Sequence, residues 1–376
     1  MSKKKRMTKK MAREERQRQR RKRRRKRIAF LTFEVIILAV LCVVAYGVFK
    51  LDKLDINILN KDKLEAYRDT GPYTNIALFG LDSRNGELEG GVQSDCIMIA
   101  SINNETNDVR LLSVYRDTLL QQADGTYEKA NSAYHSGGPE AAISLLNRNF
   151  DLDIQNYVSV NFSALVDVID ALGGIEMELT QEEAFYSNGY ASETAQVVGK
   201  EMVPIEEEAG TYVLDGVHAV GYARIRYTDG MDFKRTERQR VVLQKVAEKA
   251  KKANIVTLNK IVNEVFPQIS TSLTISDMLG FASNILDYNI VDTSGFPYNV
   301  TTSESVLNHE GSYVVPIDFV SNVTMLHQNL FGEADYVPSE KVQQIHDDII
   351  YLTGVTEDTT AMETTFEGDV HNEETQ

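Results

Sequence analysis

Eleven polar residues placed at or near the ends of apolar runs could do chemistry together: Asp82, Arg84, Asp95, Arg116, Asp117, Lys129, Asn131, Arg224, Arg226, Arg235 and Gln239. Magnesium commonly binds through one or two carboxylates and completes its shell with water and phosphate oxygens. Asp82 and Asp95 suit that role, with manganese as the substitute ion. Arginines and Lys129 on the remaining oxygens would neutralise a pyrophosphate and stabilise charge developing as a phosphoryl bond breaks. No GxSxG or Ser/His/Asp arrangement, Walker sequence, CxxC or HExxH occurs, and the six histidines are scattered. The pattern therefore favours phosphoryl transfer over acyl transfer, nucleotide hydrolysis or a structural zinc site. Taken singly, each of these residues is more often a surface ion pair than a member of a site, and only their combination points to one.

The densest part is Tyr222 to Arg240, with five arginines and one lysine in an otherwise acidic region. Arg224 and Arg226 lie two apart, so a strand over 221–226 would put both on one face. Arg235 and Gln239 lie four apart and would share a face of a helix running from near Arg235 to about Asn254. The residues between, with Asp229-Gly230 and Asp232, have turn and capping chemistry. A helix start beside convergent guanidiniums suits a phosphate or pyrophosphate. A solvated charged face paired with nearby acids stays open as the alternative.

The elements that must position these groups are legible as apolar runs. Asn75 to Phe79 is apolar after its first residue and predicts a buried central strand with Asp82 at its end. Cys96–Ile102 and Val109–Val114, joined by a polar turn, predict a hairpin that Asp95 opens and Arg116 closes. Helices are predicted from Gly138-Pro139 to Asn149, after a Ser163 cap to Gly173-Gly174, near 257–266 and 275–286, and from Phe319 to Phe331. Strands are predicted at Tyr157–Asn161, Ile175–Leu179 and Tyr313–Pro316, and 181–210 reads as a long acidic surface loop. Strands alternating with helices predict α/β class: a layered α-β-α domain with a central mixed sheet, preceded by one transmembrane helix.

The net charge of −15 conceals a split. Residues 1–27 carry 17 Lys/Arg against Glu14 and Glu15, whereas the remainder has 23 basic against 53 acidic residues, a net of −30. Between them, Ile28 to Phe49 holds only one charge, Glu34, and is long enough to span a bilayer. Dense positive charge before the span predicts a cytoplasmic N-terminus and an exported domain: a single-pass, type II protein of the cell membrane held by an uncleaved signal-anchor. The organisation expected is a basic arm (1–27), a transmembrane helix (28–49), a stalk (50–73), an outer catalytic domain (74–354) and an acidic disordered tail (355–376). Cys42 falls in the span and Cys96 in the domain, so no internal disulfide is available.

Several motifs in order, NIALFGLDSR (75–84), SDCIMIASIN (94–103), LLSVYRDT (111–118), KANSAY (129–134), LDGVHAVGYARIRY (214–227) and DFKRTERQR (232–240), resemble those of the LytR-CpsA-Psr family. The resemblance implies a membrane-anchored enzyme outside a Gram-positive-type cytoplasm. It would move a glycopolymer, such as teichoic acid or capsule polysaccharide, from a polyprenyl-pyrophosphate carrier to a peptidoglycan hydroxyl. It implies magnesium on Asp82 and Asp95 and pyrophosphate on Arg116, Arg224, Arg226, Arg235 and Gln239, with Arg84 and Lys129 nearby. Asp82, Asp95, Arg116 and Arg224 are the expected catalytic set; no nucleic acid is expected. The rival is a non-catalytic binder of lipid-linked glycan, or an attenuator of transcription. Three departures stand out: Tyr115 where many relatives have proline, expected to alter a loop only; Gln93 where they have arginine; and Lys234 where glycine is common.

Overall fold

The computed structural model describes residues 55–362 apart from 68, 84–87, 89–90, 229 and 307–308. The basic arm, the apolar span 28–49, Arg84 and the tail from 363 lie outside the described residues. Among the described residues no helix is long and apolar enough to cross a membrane.

The chain runs β1 (Asp55–Ile56), β2 (Tyr73–Leu81), β3 (Ser94–Asn103), β4 (Asp108–Val114), β5 (Leu119–Gln121), β6 (Tyr127–Lys129), α1 (Ser132–Phe150), β7 (Asn156–Asn161), α2 (Phe162–Ala171), β8 (Ile175–Leu179), α3 (Gln181–Val198) and β9 (Gly210–Leu214). It continues α4 (Gly216–Arg224), α5 (Met231–Lys251), α6 (Ile255–Val265), β10 (Ile269–Thr271), α7 (Ile275–Ser283), β11 (Asn289–Phe296), β12 (Val300–Val306), β13 (His309–Pro316), α8 (Phe319–Phe331) and α9 (Glu340–Thr353). Seven strands form one mixed sheet in the order β1-β10-β7-β2-β3-β4-β11, with the apolar β2 at its centre.

Alternation along β2 divides the two cores. Ala77, Phe79 and Leu81 join Ile99 and Leu112 and meet Ile143, Leu146 and Phe150 of α1, with Leu326 and Leu330 of α8 behind them. Burying each such side chain is worth about 1.5–3 kcal/mol, against about 0–1 for an exposed ion pair, so the sheet and α1 form the rigid scaffold from which the strand-end residues project. The opposite face carries Leu78, Met98, Val158 and Val160 and looks across a cavity at α2, α3, α4 and α5. Those helices and the antiparallel pair β8 and β9 close on a second core that includes Ile169, Met177, Leu214 and Tyr222.

Several expectations are corrected. Residues 181–198 form helix α3 rather than a loop, opened by a reciprocal capping box between Thr180 and Glu183. Its polar and apolar residues do not segregate, because its buried face is built from small side chains such as Ser187, Ala191 and Thr194 that admit α4 closely. A Cβ at Gly221 would lie 2.7 Å from the Ala191 nitrogen, so only glycine permits that approach. Residues 221–226 are accordingly not a strand: they are the end of α4, capped by Asp215, whose side chain accepts the His218 N–H at 3.0 Å, and the turn after it. Helix α5 begins at Met231 and ends at Lys251, and Asn161 rather than Ser163 caps α2.

Nor are residues 55–73 a stalk. β1 pairs with β10, Leu64 is fully buried, and Glu65 pairs with the buried Arg148. The described part of the acidic tail runs back onto the body, where the Met362 N–H donates to the Val300 carbonyl at 2.8 Å.

Candidate functional site

The carboxylate pair is placed by a flaw in strand pairing. Gly80 faces Cys96 and Leu81 faces Ser94, so the register skips Asp95, a bulge of the kind that re-aims a side chain. The close approach depends on Gly80, where a Cβ would lie 2.8 Å from the Cys96 Cβ. Asp82 follows β2 directly, its N–H donating to the Gln93 carbonyl at 3.4 Å. Its carboxylate is exposed and has no partner among the described residues.

The cations converge on a second carboxylate. Asp232, in the first turn of α5, receives Arg116 Nε at 3.3 Å, Arg226 Nε at 3.4 Å and Arg235 Nη2 at 2.9 Å. Arg116 also grips Asp95 at 2.6 Å and Asp117 at 3.3 Å, and Lys129 Nζ reaches Asp117 at 3.1 Å. Burial opposes the charge on Arg116, but Asp95, Asp117 and Asp232 outweigh it and hold its pKa above the usual guanidinium value. Arg235 is more deeply buried, and desolvation pushes it down to about 10 against the pull of Asp232. Its Nε is buried without an acceptor.

Arg224 does not join this cluster. Its Nη1 donates to Thr194 at 2.9 Å, its Nη2 pairs with Glu193 at 3.4 Å, and its guanidinium lies 5.2 Å from the Phe162 ring centre. The even spacing that suggested a shared face with Arg226 belongs instead to a helix end and the turn beyond it. Lys129 stands behind Asp117, its ammonium 5.0 Å from the Tyr313 ring centre, and acts through Asp117 and Arg116. Arg84 lies outside the described residues.

A cavity of about 900 Å³ runs from this cluster between the sheet and the helices. Its lining carries Asp82, Asp95, Arg226, Arg235 and Gln239, Arg224 beside Glu193, and the apolar and aromatic side chains of Leu78, Met98, Val160, Leu165, Tyr186 and Tyr190 among others. Arg235 and Gln239 share a helical face, as their spacing predicts. Cys96 lies in the same wall, half-buried, and burial pushes its thiol up to about 12. A smaller polar cavity of about 410 Å³ is lined by the same two aspartates.

Among the described residues no cluster of three or more His, Cys, Asp or Glu could cage a metal. The donors available are the pair Asp82 and Asp95, which suits an ion that takes one or two carboxylates and fills its shell from water and phosphate. Around them Arg116, Lys129, Arg226 and Arg235 balance Asp82, Asp95, Asp117 and Asp232 in number. Asp82, exposed and unpaired among the described residues, is the carboxylate of this cluster left open to a cation.

Asp232, which in sequence offers only turn and capping chemistry, holds three arginines, a tertiary relation that no local spacing encodes. The aromatic wall of α3 has no apolar stripe to announce it, although Thr180-x-x-Glu183 is a helix-start signature. Tyr115 does more than alter a loop. It is buried, with its ring edge-on to Phe233 of α5 at 4.7 Å, and ties the end of β4 to the helix that carries Arg235. Lys234 is buried too, and desolvation lowers its pKa.

A family model described as the LytR_cpsA_psr family matches residues 44–328. The chain is 30% identical over 212 residues to the polyisoprenyl-teichoic acid–peptidoglycan teichoic acid transferase TagU of Halalkalibacterium halodurans, covering 56% of this chain and 64% of that protein, less than two thirds of its length. A solved structure of a transcriptional regulator from Enterococcus faecalis matches with a TM-score of 0.58 at 25% identity, over 80% of this chain and 100% of that one. TagT with bound octaprenyl pyrophosphate lipid shares the fold, with a TM-score of 0.54 at 20% identity over 73% of this chain and 99% of that one.

Proposed function

The chain belongs to the LytR-CpsA-Psr family, and from that premise we propose that it transfers a glycopolymer from a polyprenyl-pyrophosphate carrier to a peptidoglycan hydroxyl. The observation that carries this reading is one cavity with two chemistries. An apolar and aromatic body of about 900 Å³ suits a prenyl chain, and its end, set with Asp82, Asp95, Arg226 and Arg235, suits a pyrophosphate. The name of the TagU relative, which pairs a polyisoprenyl donor with a peptidoglycan acceptor, supports the same assignment.

In this reaction the acceptor oxygen attacks the sugar-linked phosphorus. The new O–P bond forms as the bond from that phosphorus to the bridging oxygen breaks, and polyprenyl phosphate leaves. The attacking hydroxyl gives up its proton as the bond forms, and Asp82, whose carboxylate is exposed, takes it where that carboxylate is not fully engaged by a metal ion. Arg226 and Arg235, with Arg116 behind them, stabilise the charge that grows on the phosphoryl and bridging oxygens. Arg235 Nε, buried without an acceptor, is an unused donor ready for a phosphate oxygen. Asp82 and Asp95 would hold magnesium or manganese, which when bound supplies Lewis-acid neutralisation of the pyrophosphate. Arg224, paired with Glu193 on the aromatic side, positions the donor from the cavity wall.

The apolar span 28–49 would anchor the chain, with the basic arm inside and the domain outside, next to both the lipid carrier and the wall. The test is to incubate the full chain in detergent micelles with polyprenyl-pyrophosphate glycan and soluble peptidoglycan fragments, with magnesium or chelator. Coupled product and released lipid phosphate should appear together and only with metal. Lipid that binds but yields no product under any metal condition would leave a glycan-lipid binder instead.

A further inference from the structure

The two cavities share a wall: Asp82, Asp95 and Arg226 line both. The larger is lined mainly by apolar and aromatic side chains, whereas the smaller, of about 410 Å³, is polar and adds Gln93, Arg116 and His135. In-line displacement at phosphorus needs the attacking and leaving oxygens on roughly opposite sides. With the prenyl chain in the larger cavity and the pyrophosphate at the shared wall, an attacking oxygen has the smaller cavity as its approach. We infer that this smaller cavity is the acceptor subsite, taking a sugar hydroxyl, and that His135 is a side chain that binds the acceptor there. The inference rests on the transfer reading above.

The wall that carries His135 is tied to the carboxylates by backbone. The Gly91 N–H donates to the His135 carbonyl at 2.9 Å, and two residues on, the Gln93 carbonyl accepts the Asp82 N–H at 3.4 Å. The start of α1, the segment 91–93 and the end of β2 therefore hold Asp82 and His135 around one opening. His135 is exposed, and its ring has no partner among the described residues. An imidazole can both donate and accept, which matches a sugar hydroxyl better than a phosphate, for which the arginines are already placed. The volume falls near the lower end of small-molecule sites, about 300–1,000 Å³, room for a sugar unit.

Two variants test this in the full chain in micelles: His135→Ala, which removes the contact, and Gln93→Trp, which fills the cavity at an exposed position. Transfer is followed against the concentration of a soluble peptidoglycan glycan fragment at saturating donor, and separately against donor at saturating fragment. Loss of one hydrogen bond should raise the acceptor KM of His135→Ala about 10-fold, with donor KM unchanged and His135→Gln restoring most of the loss. Gln93→Trp should raise acceptor KM at least as much. Unchanged acceptor KM in both variants, or donor KM rising in parallel, would overturn the assignment. A wild-type chain that transfers nothing to the fragment would instead sink the transfer reading, before any variant is compared.

Discussion

Arg235 Nη2 donates to Asp232 Oδ2 at 2.9 Å while Arg235 Nε, equally buried, has no acceptor. The charge is thus half satisfied in the free protein. Desolvation lowers its folded pKa to about 10, below its ordinary value in the unfolded chain, so the charged form costs stability at every pH below about 10 and that cost fades only above it. A buried, half-satisfied charge that faces a cavity is a candidate to meet an anion there.

Arg235→Met should therefore raise Tm, by about 1 kcal/mol or more in stability, since a buried ion is replaced by an apolar side chain while Asp232 keeps Arg116 and Arg226. The same change should lower transfer about 100- to 1000-fold, as loss of one charge-stabilising donor does. Arg235→Lys should rescue poorly, because an ammonium cannot reproduce the fork. Differential scanning calorimetry beside the transfer assay checks both; a lower Tm for the Met variant would refute the stability half.

Asp232→Ala should do the opposite to stability. It leaves Arg235 without its acceptor and Arg116 and Arg226 closer to mutual repulsion, so Tm should fall and prenyl-pyrophosphate affinity should weaken with it. Asp232→Glu, which keeps the charge, should recover part of both. Wild-type Tm in the Ala variant would show that the three-arginine cluster does not need its carboxylate.

Cys96 gives a pH-based check on the cavity. Its pKa is raised from 9.0 to about 12 by burial, so near pH 8 the folded chain holds about 1000-fold less thiolate at this position than the unfolded chain. Iodoacetamide at pH 8 should leave Cys96 unmodified in native protein and label it after unfolding, as read by peptide mass mapping. Rapid native labelling would mean that the wall of the cavity is open to bulk water.

How much of this was legible in the sequence depended on whether the signal was local. β2, the β3–β4 hairpin and α8 were readable because continuous apolar runs or helical periodicity mark them, and Asp82 and Asp95 followed as strand-end residues. Helix α3 was hidden because it packs small polar residues against α4, so no apolar stripe marks its buried side. The expected shared strand face of Arg224 and Arg226 is absent because a two-residue spacing reads alike in a strand and at a helix end followed by an extended turn. Where the arginines converge is decided by Asp232, and His135 meets Asp82 only through the Gly91 link; both are relations between distant segments.

Topology is tested in cells. If the span 28–49 anchors the chain with its basic arm inside, protease added to intact protoplasts should digest the domain beyond Lys50 and spare residues 1–27. Protection of the domain would overturn export.

The aspartate pair separates enzyme from binder. Asp95→Ala leaves Arg116 still held by Asp117 and Asp232, and Asp82 has no partner among the described residues to lose, so both variants should fold with Tm near wild type. Arg116, Arg226 and Arg235 remain in place in either variant, so retention of prenyl-pyrophosphate lipid should persist. Transfer should be lost in both, because the balanced cluster then lacks a carboxylate through which a divalent ion could offset the incoming pyrophosphate. Titrating magnesium should restore part of the rate in whichever variant keeps the stronger ligand, and chelator should abolish it. A purely binding protein predicts no loss of cellular function from either change. Product at the wild-type rate from both variants would leave transfer standing while removing Asp82 and Asp95 from its mechanism, and the arginine cluster alone would then have to carry the charge of the reacting pyrophosphate.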